Sequence, residues 1–342
     1  MPQASNYCEI IKSNLSLGTR TRVGLLESLV NPINVTAGSF QPVQSIEIGK
    51  KRTQLVRYMQ PSLVTDGTNG VLGVDAAPTY CGGLDSLYLE EQFPVNNFAQ
   101  QKRTIKNIDM ASYCEGTNTV VGDVIASMVD ALLVDINTQL IAAYDAVRGN
   151  TSAGNTTPIS ALAYSDYANL VASPAISSAI KTELFDLKKG SALPIVVGGS
   201  LLYQYANSVG IGCCNNFGQS VNEFTGELAI FNDNTMDTAT LGTAPANRDW
   251  FVYPAGTVQF LDWSLANPVN ETSTTRTQLS IPVGGDSEFL VDLKLVYDDC
   301  DEVWSVSLTK FFGLMNIPAD YFQVGDPLEG VNYMLRFRPT TV

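Results

Sequence analysis

Between Val121 and Val147 large apolar residues return at every third or fourth position: Val121, Ile125, Met128, Leu132, Ile136, Leu140, Tyr144 and Val147. Asp123, Ser127, Asp130 and Asn137 fall on the other side, so the spacing predicts a single amphipathic helix. Asn118 or Thr119 offers a capping oxygen, Asp123 suits the positive end of the helix dipole, Arg148 suits the negative end, and Gly149 supplies a left-handed stop. At about 1.5 Å per residue the segment from Asn118 to Arg148 measures about 45 Å, roughly two to three times an ordinary helix. A rod of that length spans a domain instead of nesting inside one, and the remaining elements must be laid along it.

Charge divides the chain on either side of this helix. Residues 1–110 hold ten Lys or Arg against nine acids, so the total of −14 leaves −15 on the remainder. Such an acidic body excludes a nucleic-acid binder that relies on bulk positive charge. It leaves room for a protein that encloses nucleic acid without gripping it.

The chain has no histidine. That removes Ser-His-Asp and Cys-His mechanisms, most zinc hydrolases and every histidine general base. The six cysteines, Cys8, Cys81, Cys114, Cys213, Cys214 and Cys300, show no CxxC spacing and read as reduced small hydrophobes. The vicinal pair Cys213-Cys214 is a poor geometry for a relaxed disulfide. No catalytic residue, metal site or cofactor is expected, and the chain is not read as an enzyme. Met1 to Asn6 lacks the charged start and apolar stretch of a secretory signal, and the most apolar run, Val120 to Ile136, is interrupted by Asp123, Asp130 and Asp135; a cytoplasmic chain without a membrane span is expected.

Upstream of the helix, residues 1–47 read as an extended arm with a short helix at Thr21 to Leu29. Ile46 to Met59 and Tyr88 to Ile108 read as two long strands around the Gly- and Pro-bearing stretch Pro61 to Gly83, forming an antiparallel two-stranded arm. A two-stranded ribbon is marginal in water and needs a surface to lie on. Lys50, Lys51, Arg52 and Arg57 on one strand, with Lys102, Arg103 and Lys106 on the other, are the candidate contact residues for an acidic surface; the plainer reading is a solvated hairpin face.

Downstream, a helical region from Tyr164 to Leu187 is interrupted at Pro174. Pro194 to Gly199 reads as a buried strand leading into a helix at Ser200 to Asn207. Beyond residue 225, strands are expected at Leu228 to Phe231, Trp250 to Tyr253, Thr257 to Trp263, Phe289 to Tyr297, Val303 to Phe312 and Tyr333 to Phe337, with Gly284-Gly285 and the acidic run Asp298 to Glu302 as turns.

Three spots carry a superficial chemical signature. Gly198-Gly199-Ser200 lies between a strand and a helix but lacks the G-x-S-x-G spacing, and reads as a packing turn. Glu90-Glu91 and the acids from Asp298 to Glu302 are paired-carboxylate candidates for glycoside hydrolysis, both local in sequence and both at strand ends, where solvated turns are the ordinary reading. The second group is also a calcium candidate, without the EF-hand spacing.

The order of parts resembles the tailed-bacteriophage major capsid protein with the Hong Kong 97 fold. The resemblance rests on arm, long extended loop, spine helix from Asn118 to Arg148, α/β lobe, and the closing hairpin FLVDLKLVYDDCDEVWSVSLTKFF. It implies an α+β fold with an N-terminal arm over 1–45, an extended β-hairpin loop over 46–112 and a peripheral domain with the spine helix over 113–189. An axial domain over 190–249, long strands shared by both domains over 250–315 and a C-terminal strand within 316–342 complete it.

It further implies self-assembly through pentamers and hexamers into an icosahedral shell around double-stranded DNA. The partners implied are other copies of the chain, a portal, scaffold or decoration proteins, and loosely held packaged DNA, with no membrane. The location implied is the virion, assembled in the host cytoplasm. In that fold the arm and loop lie across neighbouring subunits, which gives Lys50, Lys51, Arg52, Arg57, Lys102, Arg103 and Lys106 an inter-subunit role. An encapsulin-like protein compartment shares the implied fold. A histidine-free carbohydrate-active or binding protein is the alternative of a different class, and predicts a monomer with a defined cleft.

Overall fold

The computed structural model describes residues 26, 28–29, 42–48, 51–59, 88–114, 120–146, 163–164, 180–181, 184, 194–210, 228–238, 240–241, 244–245, 249–255, 257–263, 274–284, 287–316, 334–337 and 340–341. The expected arm tip, the vicinal cysteines and most of the region from Tyr164 to Leu187 lie outside them, as do the caps at 118–119 and 148–149. Helix and sheet are mixed throughout.

The chain enters a ribbon of three antiparallel strands, β1 (Pro42–Ile48), β2 (Lys51–Met59) and β3 (Tyr88–Pro94), in the order β1-β2-β3. The single strand expected from Ile46 to Met59 is thus two. Ile48 pairs with Lys51, the last rung between the two. The expected strand from Tyr88 to Ile108 also divides. After Val95-Asn96 the chain leaves the ribbon as β4 (Asn97–Lys106) and joins the body, then turns at once into helix α1 (Asn107–Cys114). Asn107 closes that corner: its amide donates to the Glu302 carbonyl at 3.0 Å, and its Oδ1 accepts from Trp304 Nε1 at 3.1 Å.

Helix α2 runs from Val120 to Ala146, 27 residues. It buries Val121, Ile125, Met128, Val129, Leu132, Leu133, Ile136, Leu140, Ile141 and Tyr144, each such side chain contributing about 1.5–3 kcal/mol. This stripe is wider than one-sided packing needs because the helix faces two sheets at once, and the cluster it anchors draws residues from both. For the same reason Asn137, expected on the polar side, is fully buried. Its Nδ2 donates to Asp233 Oδ2 at 2.7 Å.

The first sheet has five strands: β11 (Val258–Trp263), β14 (Val303–Asn316), β13 (Ser287–Asp298) and β12 (Thr274–Gly284), with β4 on β14. β14 is its axis. β4 follows it from Val303 to Phe312, β13 from Val303 to Thr309, and β11 from Phe311 to Asn316. Because Phe311 and Phe312 pair with both β4 and β11, β11 succeeds β13 on the edge opposite β4. Alternation then assigns the faces: Trp304, Val306, Leu308, Lys310 and Phe312 are buried, and the residues between them, Val303 to Phe311, are half-buried. The strand β12 was not expected. Its Thr-rich first half, Thr274, Thr275 and Thr277, carries β-branched side chains without apolar alternation, a weak signal in sequence.

The second sheet has the order β15-β10-β6-β7, from β15 (Leu335–Phe337), β10 (Trp250–Pro254), β6 (Pro194–Gly198) and β7 (Ala229–Asn232). β6 and β7 are parallel and the other pairs antiparallel. Helix α3 (Ser200–Gly210) follows β6 directly, as the sequence predicts, and α4 (Thr235–Thr238) follows β7. Every residue of β6 and of β10 is buried. One face of this sheet joins the cluster around α2 through Ile195, Val197, Phe251 and Tyr253. The other packs Val196, Ile230, Trp250, Val252, Leu335 and Phe337 against Leu201, Leu202 and Tyr205 of α3. Two minor pairings complete the description, β5 (Ala163–Tyr164) with β16 (Thr340–Thr341) and β8 (Thr240–Leu241) with β9 (Ala244–Pro245).

Candidate functional site

The seven predicted contact residues separate into two groups. Lys51, Arg52 and Arg57 stand on β2 of the ribbon, while Lys50 lies outside the described residues. The ladder sets Arg52 opposite Glu47 and Arg57 opposite Glu90, and opposite charges at such positions support pairing. The ribbon therefore carries acids beside its cations instead of a purely basic face. Lys102, Arg103 and Lys106 stand elsewhere, exposed on β4 of the five-stranded sheet, where they pair with Ser307, Val306 and Val303. They do not belong to the ribbon.

The ribbon meets the body at its root. An added Cβ on Gly313 of β14 would come within 2.7 Å of the Pro94 carbonyl oxygen and 3.3 Å of Val95 Cα, so only a glycine admits the chain where it passes from β3 to β4. Two side chains then fasten β4 beside α2. Gln139 Nε2 donates to the Phe98 carbonyl at 3.1 Å, and Gln101 Nε2 donates to Asp135 Oδ2 at 2.5 Å.

The strand-to-helix turn at Gly198-Gly199-Ser200 is a packing turn. A Cβ on Gly198 would lie 2.9 Å from Leu202 Cβ and 3.0 Å from Trp250 Cδ1, and one on Gly199 would strike the Asp237 carboxylate. Asp237 Oδ1 accepts from the Ser200 amide at 3.0 Å and from its Oγ at 2.9 Å. The Asp237 carboxylate thus caps the start of α3 from across the fold, and the serine is a donor to it. The acidic turn Asp298 to Glu302 is exposed, with the Cys300 amide donating to Asp298 Oδ1 at 3.0 Å and Glu302 in a left-handed conformation at φ 53°. No group of three His, Cys, Asp or Glu among the described residues is placed to hold a metal ion. No described helix is long and apolar enough to cross a membrane.

Two buried polar groups join the lobes, and neither was expected. Arg336 of β15 donates from Nε to Asp249 Oδ2 and from Nη1 to Asp145 Oδ1, each at 2.7 Å, and its Nη2 also bonds Asp249. Asp249 is fully buried, and Asp145 stands in the last turn of α2. An acid there opposes the helix dipole, which is the one hint of a cation partner in the sequence. Nearby, Tyr253 Oη donates to Ser28 Oγ at 2.8 Å. Burial, against the lowering effect of hydrogen bonds to Ser28 and Tyr144, pushes the Tyr253 phenol from its ordinary 10.0 to about 12. Tyr144 lies edge-on to it with centroids 6.0 Å apart, and burial first, then Tyr253, drives its phenol well above the ordinary range.

These parts define a class of architecture: a long helix over an antiparallel sheet, a second mixed sheet locked to the helix end, and a ribbon rooted beside them. No protein-family model matches the sequence, and no curated protein matches it. Among solved structures, the chain is similar to one from Mycobacterium phage Che8, with 11% identity, 83% of this chain and 84% of that chain covered, and a TM-score of 0.44. It is similar to a chain in the asymmetric unit of the bacteriophage PhiM1 mature capsid, with 10% identity, 85% and 82% covered, and a TM-score of 0.45. The capsid of Ralstonia phage GP4 matches at 8% identity, 88% and 86% covered, and a TM-score of 0.42. The structures it resembles here are thus phage structures, two of them capsids.

Proposed function

We propose that this chain is the major capsid protein of a tailed bacteriophage, built on the Hong Kong 97 fold, which assembles through pentamers and hexamers into an icosahedral shell around double-stranded DNA. The ribbon carries this reading. Its three strands pair with one another and, among the described residues, with no other strand, and a sheet of this size depends on a hydrophobic face for its stability, a face that another surface would cover. Its root is pinned against the body at Gly313 and Pro94. A second copy of the chain is the surface it lies on, with Lys51, Arg52 and Arg57 among the contacts.

In this reading α2 and the five-stranded sheet form the peripheral domain, and the second sheet with α3 belongs to the axial domain around which five or six copies meet. Strands from 250 onward serve both, since β10 belongs to the second sheet and β11 to the first. A portal, together with scaffold or decoration proteins, completes the particle, which is assembled in the host cytoplasm.

Light scattering and negative-stain electron microscopy on the purified protein test the proposal. Closed shells, or rings of five or six subunits, are the expected result. A monodisperse particle of 36.9 kDa, unchanged by a co-expressed scaffold, overturns it.

A further inference from the structure

Three residues far upstream of α2 lie inside the body. Leu26, Ser28 and Leu29 are helical and at most 5% exposed, and both leucines belong to the cluster around α2. Ser28 Oγ accepts the hydrogen bond of Tyr253 Oη at 2.8 Å, and Tyr253 and Tyr144 stand edge to face with centroids 6.0 Å apart. Burial above all raises both phenols, and Ser28 works against that rise in each, so its hydroxyl acts on the α2 ring as well as on the β10 ring. Tyr144 adjoins Asp145, the α2 residue that bonds Arg336, and Tyr253 shares β10 with Trp250, the neighbour of Asp249. The upstream segment is thus a third element at the junction that Arg336 closes.

Its attachment is slight for so central a position. Among the described residues, two leucine side chains and one hydroxyl hold it, and the cost of ordering the segment opposes a gain of that size. Gly24 and Pro32 flank it, residue types that interrupt a helix on either side. Residues 30–41, twelve in all, join it to β1, and that length of chain reaches no further than about 40 Å. The upstream end of the ribbon is therefore tethered to this seat. Departure of the segment takes the hydrogen-bond partner from Tyr253 and leaves a hollow where the leucines stood, and both changes loosen the packing around them.

We propose that residues 26–29 form a latch with two positions. Seated, it ties the end of α2 to β10 and holds the upstream end of the ribbon. Unseated, it releases these three while the five-stranded sheet and the rest of α2 stay folded. The latch is a property of a single chain and does not depend on the capsid reading.

Hydrogen–deuterium exchange of the full chain, read by mass spectrometry, tests the proposal. In the wild-type protein the amides of Leu26, Ser28 and Leu29 are expected to exchange at least about tenfold faster than residues 128–136 at the centre of α2, at a rate insensitive to dilute urea, the mark of a local opening. Leu26→Asp places a charge in the seat. It is expected to raise exchange at residues 143–146 and 250–253 by at least about tenfold and to leave residues 305–308 unchanged. Should that variant fail to fold, Ser28→Ala removes the hydroxyl alone and is expected to raise exchange at 143–146 and 250–253 by about two- to tenfold. Upstream amides that exchange only together with the centre of α2 overturn the proposal, since the segment is then a fixed part of the core. So does a folded variant, either of the two, in which residues 143–146 and 250–253 keep wild-type protection.

Discussion

Arg336 is the side chain on which the junction of the two lobes turns. It is nearly fully buried between Asp249, which is fully buried, and Asp145, which retains 27% of its side-chain exposure. Replacing it with methionine keeps the stem but strands a carboxylate in the core, so Arg336→Met is expected to lower unfolding free energy by about 3–5 kcal/mol, read by urea denaturation. Asp145→Asn is expected to cost far less, because water reaches that carboxyl. Tyr253 makes a second prediction. Its folded phenol at about 12 lies above its ordinary 10.0, so the unfolded chain loses that proton first as pH rises. The associated stability is complete below pH 10 and is lost through about 12. Alkaline unfolding should therefore steepen in that window, and Tyr253→Phe should flatten it; equal slopes in the two proteins would refute the assignment.

Among the elements, the root of the ribbon is the place where a small change has a directed effect. A methyl group at Gly313 meets the backbone of Pro94 at 2.7 Å, and overpacking of this kind costs about 1–3 kcal/mol. Gly313→Ala is expected to lower the thermal midpoint and to raise proteolysis near Val95, while leaving the α2 region protected. Periodic elements were legible in advance. The repeat from Val121 to Tyr144, the run from Pro194 to Gly198 and the alternation from Phe289 to Tyr297 each match a strand or helix, because burial on a face imposes the spacing. What escaped prediction lacked such a face. The apolar pattern runs on through the division between β1 and β2, the Thr-rich start of β12 has no apolar alternation, and Asn137 is polar yet buried because two sheets close over one helix. Lys102, Arg103 and Lys106, proposed as contacts, sit on the five-stranded sheet and not on the ribbon for a related reason: composition reveals the cations, but only pairing with β14 shows which sheet carries them.

At the scale of the whole molecule, the order in which the parts appear along the chain differs from the order in which they fit together. The sheet that receives the end of α2 is completed by β15, and the cation compensating Asp145 comes 191 residues later. A polypeptide still attached to the ribosome before residue 336 has emerged holds Asp249 without this partner and the second sheet without its edge. Contacts of such sequence separation form slowly. Stalled chains truncated before Met334 should accordingly be cleaved readily around the second sheet, and protection should arrive only with chains long enough to expose Phe337. Translation thus acts as the clock for this junction: Asp145 and Asp249 gain their shared cation only once residue 336 has been made.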